Sequence, residues 1–297
     1  MADNISNTVL QPSDTPNVMS PDIVRDDRIL SETRWIGACI PLFLFVAFIM
    51  LYFFPNDTAT LFAWTITPTM TPLMMGGGYI AGSYFFVRLV MGGKWHWYTN
   101  GFPAIATFTW FMLISTLLHL DKFHQGHISF YAWFGLYIIT PFLVPFLWLR
   151  NRRTDPGTPD PSDVVVPSTL RMVAGITGVG LFLIALFMLI FPDTAISIWP
   201  WKLTQLTAQV IGGWFALPAV VGIMLSRDSR WSAWPVLLES QMLALVLILV
   251  SVVRAWSDFN QSNVLTWVFI VGISLLLVGV LTLYITMESR RRRIVTP

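Results

Sequence analysis

WIGACIPLFLFVAFIMLYFF, residues 35–54, is the stretch whose reading decides the fold. Twenty residues pass without a charge, enough to cross about 30 Å of hydrocarbon as a helix. Lipid offers no partner to a backbone N–H or C=O, so a run of this kind must satisfy its own hydrogen bonds, which a helix does and a lone strand cannot. Seven further stretches are as long and mostly apolar: 72–91, 101–120, 130–149, 172–191, 206–225, 235–254 and 264–283. Apolar residues form 55% of the 297 and charged residues 11%, roughly half the charged share of a soluble domain. That composition excludes a water-facing globule. The expected class is all-α: a polytopic membrane bundle of eight transmembrane helices.

The flanks agree. Trp35, Trp64, Trp95, Trp97, Trp199, Trp201, Trp231, Trp234 and Trp256 fall at or just beyond span ends, where an interfacial aromatic belt is expected. Cys39 is the single cysteine, which excludes an intrachain disulfide and any paired-thiol motif. Residues 1–33 are polar and mixed in charge, with no signal-peptide pattern, so the first span is expected to start insertion uncleaved.

Lys and Arg are unevenly placed. Arg25, Arg28, Arg34, Arg88, Lys94, Arg150, Arg152, Arg153, Arg171, Arg227, Arg230 and Arg290 to Arg293 fall on the side of the tails and even-numbered loops; only Lys122, Lys202 and Arg254 fall on the other. This bias predicts both termini to be cytoplasmic, and the expected setting is a bacterial plasma membrane. The basic clusters then meet anionic headgroups, and no stacking or groove-reading module accompanies them to suggest nucleic acid.

Five segments follow: a disordered cytoplasmic tail (1–33), a four-helix unit (34–150), a linker (151–170), a second four-helix unit (171–288) and a basic cytoplasmic tail (289–297). The linker, NRRTDPGTPDPSDVVVP at 151–167, is dominated by Pro, Gly and Asp. The two units read as a parallel tandem duplication, 4+4. FPNDTA at 54–59 recurs as FPDTA at 191–195, Arg34 matches Arg171, and Gly77-Gly78 matches Gly212-Gly213. Lys94-Trp95 matches Arg230-Trp231, Ser115 matches Ser251, FHQGH at 123–127 matches FNQSN at 259–263, and Trp133 matches Trp267. The lag stays between 134 and 137 residues. Four spans per unit, an even number, insert both copies facing the same way.

Candidate sites are few. HLDKFHQGH (119–127) holds His119, Asp121, His124 and His127, three of the four histidines. Imidazole and carboxylate suit a transition metal such as zinc, copper or nickel, but the spacing matches no metal motif and the second unit has Asn260 and Asn263 in place of His124 and His127. The pattern common to both units, with Gln125 and Gln261 at its centre, suits a hydrogen-bonded turn capping the next helix, or a polar contact with a ligand on that asymmetric loop face. Glu239 lies about one turn inside the seventh span and makes a functional candidate by its place in lipid; it either reaches the interface or pairs with Arg227 or Arg230. Arg254 and Asp258, four apart, are expected to pair. Asp57 and Asp193 are expected to cap short helices, and Pro141 and Pro145 to kink the fourth span. Gly78 and Gly82 allow close helix packing; the sharper alternative is a helix unwound at a substrate site.

Three functions fit. One is a transporter or channel for a small molecule or ion between the units. A second is a non-catalytic subunit, with a membrane partner or a second copy of the chain. The third is a metal-binding protein using the histidine loop. No catalytic motif points to an enzyme, and no further cofactor is expected.

Overall fold

The computed structural model describes residues 25–295 apart from Ser162. Among the described residues, eight helices are long and apolar enough to cross a membrane, and no strand forms beyond isolated bridges. This is a multi-pass membrane protein. The helices are α1 (Ser31–Phe48, prolonged by a wider π turn, Ile49–Phe53), α2 (Met70–Met91), α3 (Gly101–Leu118), α4 (Ile128–Asn151), α5 (Ser168–Ile190), α6 (Gln205–Leu225), α7 (Pro235–Arg254) and α8 (Val264–Val295). Each coincides with one expected span. α4 runs on through Pro141 and Pro145 without a break, and α8 continues through Arg290–Arg293, where a separate tail was expected.

The packing interleaves the halves. α1 lies on α2 and α5 on α6, while α3 lies on α4 and α7 on α8. The halves join because α2 closes against α7, and α3 against α6. Each second helix therefore finds its main cross-partner in the other half. α2, α3 and α6 are central and largely buried, whereas α1, α5 and α8 turn most of their surface outward.

Glycine sets these approaches. Apolar helices in lipid gain from contact only by fitting closely. A Cβ on Gly178 of α5 would stand 2.6 Å from the Ala219 carbonyl oxygen and 2.8 Å from the Ile223 nitrogen of α6; one on Gly222 would meet the Ala174 oxygen at 2.7 Å. Gly78 faces the Trp214 ring closer than a Cβ could tolerate, and a Cβ on Gly213 would displace the Met112 methyl and press on Phe111 (3.0 Å). Because α2 and α6 pass unbroken through these residues, the glycines serve close packing, not unwinding.

Both faces use the same pairings twice. On the face bearing the histidine loop, Trp64 bridges Phe123 and Trp201 bridges Phe259. The His124 N–H donates to the Ala63 carbonyl (2.9 Å), and the Asn260 N–H to that of Pro200 (2.8 Å). On the arginine-rich face, the Trp95 N–H donates to the Asp27 carbonyl (2.7 Å) and the Trp231 N–H to that of Val164 (3.0 Å). The next residues repeat the scheme: the His96 amide donates to Asp27 Oδ1 (3.0 Å) and the Ser232 amide to Asp163 Oδ1 (2.9 Å).

Three segments are more tightly packed than composition suggests. The tryptophans are less a belt than a core: Trp64, Trp95, Trp201, Trp231 and Trp234 are at most 2% exposed, because the loops fold back over the helix ends. Of the expected tail, the part from residue 25 is packed: Asp27 is buried and its N–H donates to the Thr154 carbonyl (2.8 Å); residues 1–24 lie outside the described residues. The linker is docked as well. Asp155 accepts from Arg230, Asp160 pairs with Lys94, and Asp163 accepts from Ser232, so its acidic residues are contacts with the basic loops.

Replacing Gly178 by Ala should force α5 off α6 at a cost of about 1–3 kcal/mol. Gly180→Ala, with nothing within 4 Å of the added methyl, should leave the thermal midpoint in detergent unchanged; equal midpoints for the two variants would refute the packing role.

Candidate functional site

A cavity of about 230 Å³ lies between the halves, with residues from all eight helices in its wall. It follows from the interleaving: α2–α7 and α3–α6 form two seams, and the space between them is the middle of the bundle. Its wall is apolar, with Phe85, Phe86, Phe108, Leu136, Leu245 and Ile248 among its residues. Trp214 stands against Tyr79 (centroids 4.9 Å apart, edge to face) and Phe108 (4.6 Å).

The polar atoms in the wall are mostly satisfied. Tyr79 and Tyr137 pair through their hydroxyls at 3.2 Å. Thr109 and Thr140 donate to carbonyls of their own helices, and Ser240 donates across the α2–α7 seam to the Ala81 carbonyl (2.8 Å). Two groups differ. The Trp214 indole N–H is buried without a partner, and Gln241, which also lines the cavity, makes no side-chain hydrogen bond with any described residue. A buried unmade donor costs about 1–3 kcal/mol, so this wall favours an apolar occupant carrying a hydrogen-bond acceptor.

Each seam is tied at both ends by polar contacts. At the arginine-rich end of α2–α7, Glu239 accepts from Arg88 and Tyr84 through Oε2 and from Tyr284 through Oε1 (2.7 Å). Glu239 thus pairs with Arg88, not Arg227 or Arg230: the facing helix is α2 of the other half, which sequence proximity does not reveal. At the opposite end Tyr52 donates to the Leu247 carbonyl (3.1 Å), and Arg254 donates to the Tyr52 carbonyl (2.8 Å) while lying over its ring. Asp258 accepts from the Met70 amide (2.8 Å) at the start of α2. Arg254 and Asp258 therefore act separately, each on the first half, instead of pairing with one another. The α3–α6 seam is tied by His119 to Gln209 (3.0 Å) and by Asn100 donating to Asp228 (3.0 Å).

The histidine-loop candidates sit apart from the cavity. His124 pairs with Thr65 (3.2 Å) and the Phe62 carbonyl (3.2 Å), His127 with Ser129 (2.5 Å), and Asp121 with Lys122 (2.8 Å). Among the described residues no three His, Cys, Asp or Glu side chains converge as a metal site. His127 accepts from the Ser129 amide at the start of α4, and Asn263 from the Leu265 amide (2.9 Å) at the start of α8. His127 thus caps α4, and Asn263 caps α8 in the same way. Gln125 donates to the Leu120 carbonyl (2.9 Å), Asn260 accepts from the Ser262 amide (3.2 Å), and Gln261 accepts from Trp267 through its carbonyl (3.2 Å). Neither aspartate caps a short helix with its side chain: none caps Thr58–Leu61, and Asp193, inside Pro192–Ile198, accepts from Gln205 (2.7 Å).

One constellation looks catalytic by type. His96 contacts Asp27 through Nδ1 and lies 2.8 Å from Ser232 Oγ through Nε2, the order of a Ser–His–Asp chain. Ser232, however, donates its hydroxyl to Asp163 Oδ2 (2.6 Å) and its amide to Oδ1 of the same carboxylate, and His96 is 1% exposed. The Ser232 hydroxyl is thus directed to Asp163, and the four side chains tie the segment at Asp27, the linker and the two basic loops together. The cavity residues Tyr79 and Trp214 are marked in the sequence only as aromatics following glycine pairs, and Gln241 only as a neighbour of Glu239. No period or motif distinguishes them from other lipid-buried positions.

No family model, curated protein or solved structure matches the chain.

On the arginine-rich face burial works against the Asp155 and Asp228 carboxylates, yet hydrogen bonds from Arg230 outweigh it and hold both below the usual carboxylate range. Burial likewise opposes the Arg230 charge, and the two carboxylates raise its pKa in spite of it. With native pKa values depressed below the unfolded 3.8, this contribution is complete above that value and is lost as pH falls through the native values. Thermal midpoints recorded from about pH 5 to pH 3 should fall less steeply for Arg230→Gln than for wild type. At neutral pH the variant should already be weaker by about 1–3 kcal/mol, having removed the cation from two half-buried carboxylates; parallel pH profiles would contradict the assignment.

Proposed function

We propose that the chain is a tandem duplicate of a four-helix unit, with both ends on the cytoplasmic side, that transports a small apolar molecule bound in the central cavity. The observation that carries this reading is the cavity itself, which draws on every membrane helix. The repeated loop pairings at one lag support the duplication. The crowding of Lys and Arg on one face supports the orientation.

The wall selects among substrates. A permeating ion would have to leave water for a wall of phenyl and aliphatic groups, a loss that only closely placed charges or carbonyls repay; an ion pathway is therefore disfavoured. An apolar cavity near 150 Å³ accepts benzene, so this one suits a somewhat larger apolar molecule, with its acceptor directed to Trp214 or Gln241. Paired seams tied at both ends suit alternating access: opening the Glu239–Arg88 end or the Arg254–Tyr52 end exposes the same space to opposite sides. The histidine and asparagine turns then serve as caps, and their polar loop face is a secondary place for ligand contact.

Two measurements test this. Purified protein in nanodiscs should bind an apolar fluorophore with quenching of tryptophan emission, and Ala244→Trp, which fills the cavity, should abolish both the binding and uptake of the probe into proteoliposomes; unaltered binding in that variant removes the basis of the proposal. For orientation, a cysteine introduced at Arg291 on a Cys39→Ser background should resist a membrane-impermeant maleimide in intact cells and react after lysis. Labelling in intact cells would reverse the topology.

A further inference from the structure

Two arginines in equivalent places behave differently. Arg34, near the start of α1, donates to the carbonyls of Val90 and of Gly92 (3.0 Å) and so closes the end of α2. Arg171 stands at the corresponding start of α5, but its side chain makes no hydrogen bond or ion pair with any described residue, and its Nε is buried without a partner. An Nε–H shut off from solvent is costly unless an acceptor reaches it.

Beside it lies a groove between α5 and α6. Ser168 and Arg171 form its polar end, and no side chain caps the start of α5 there. Gly175 keeps the groove open toward Ser226, whose Cβ a methyl at Gly175 would meet at 3.0 Å. From the polar end, Met172, Ile176 and Val179 continue the groove down an outward face and are each more than half exposed. The polar end lies at the level of the arginine-rich loops, where headgroups sit.

We propose that this groove holds one anionic phospholipid, its phosphate on Arg171 and Ser168 and an acyl chain along Met172, Ile176 and Val179. Arginine matches phosphate with two parallel N–H donors, and the apolar wall supplies what a free phosphate would leave uncovered. The site is separate from the central cavity and stands whether or not that cavity transports anything.

Native mass spectrometry of the full chain, extracted from membranes containing phosphatidylglycerol and washed in detergent, tests it. Wild type should retain one phospholipid per chain. Arg171→Gln should lower retention about tenfold, the scale of one charge-assisted contact, and Gly175→Leu should do so by filling the groove. Arg34→Gln should keep the lipid. Thermal midpoints measured alongside show that each variant is folded. Equal retention in Arg171→Gln, or a wild type that keeps no lipid or only a broad annular distribution, overturns the proposal.

Discussion

Inside hydrocarbon, two apolar helices gain little by covering each other, because lipid tails are as apolar as leucine. Association has to come from fit and from a few hydrogen bonds, and this constraint accounts for most of the structure. At the closest crossings a glycine stands: Gly178 and Gly222 between α5 and α6, Gly78 and Gly213 at the centre. Where helices end, a polar tie stands: Glu239 to Arg88, Arg254 to Tyr52, His119 to Gln209, Asn100 to Asp228. Between these fixed points the seams are apolar, and the cavity occupies the space the close crossings leave between them.

The loops follow the same logic in a wetter setting. Tryptophans that hydropathy alone would assign to the interface are buried under returning chain, because each loop is pulled inward by a backbone pairing such as Trp64 with Phe123 or Trp95 with Asp27. The acidic linker is held by Arg230, Lys94 and Ser232. Its composition marks it as irregular, and irregular it is, but its carboxylates make it a strap.

Span number and position were legible in the sequence because apolar length is a local property, and residues 35–54 already carry it. The glycine pairs and the polar turns were legible as repeated elements, and the capping role of His127 and Asn263 followed from their place before a helix. Partners were not legible. Glu239 meets Arg88 because α2 packs on α7, and Arg254 meets Tyr52 because the end of α1 reaches that same helix; nothing in the helices names their partners. The cavity was illegible for a related reason: Tyr79, Trp214 and Gln241 lie on three helices, and only the crossing angles bring them to one space.

The interleaving of halves has a consequence for how the molecule is made. α2 carries a face that fits α7, and about 170 residues separate Gly77 from Leu247, which it meets. At roughly 5–20 residues per second of synthesis, the first four helices wait in the bilayer on the order of ten seconds or more before their partners emerge. During that interval Arg88 has no Glu239, and Gly77 and Gly78 of α2 lack Leu247 and Trp214. The nascent first half is therefore the most vulnerable form of this protein, open to mispairing with other membrane helices until the last two spans arrive.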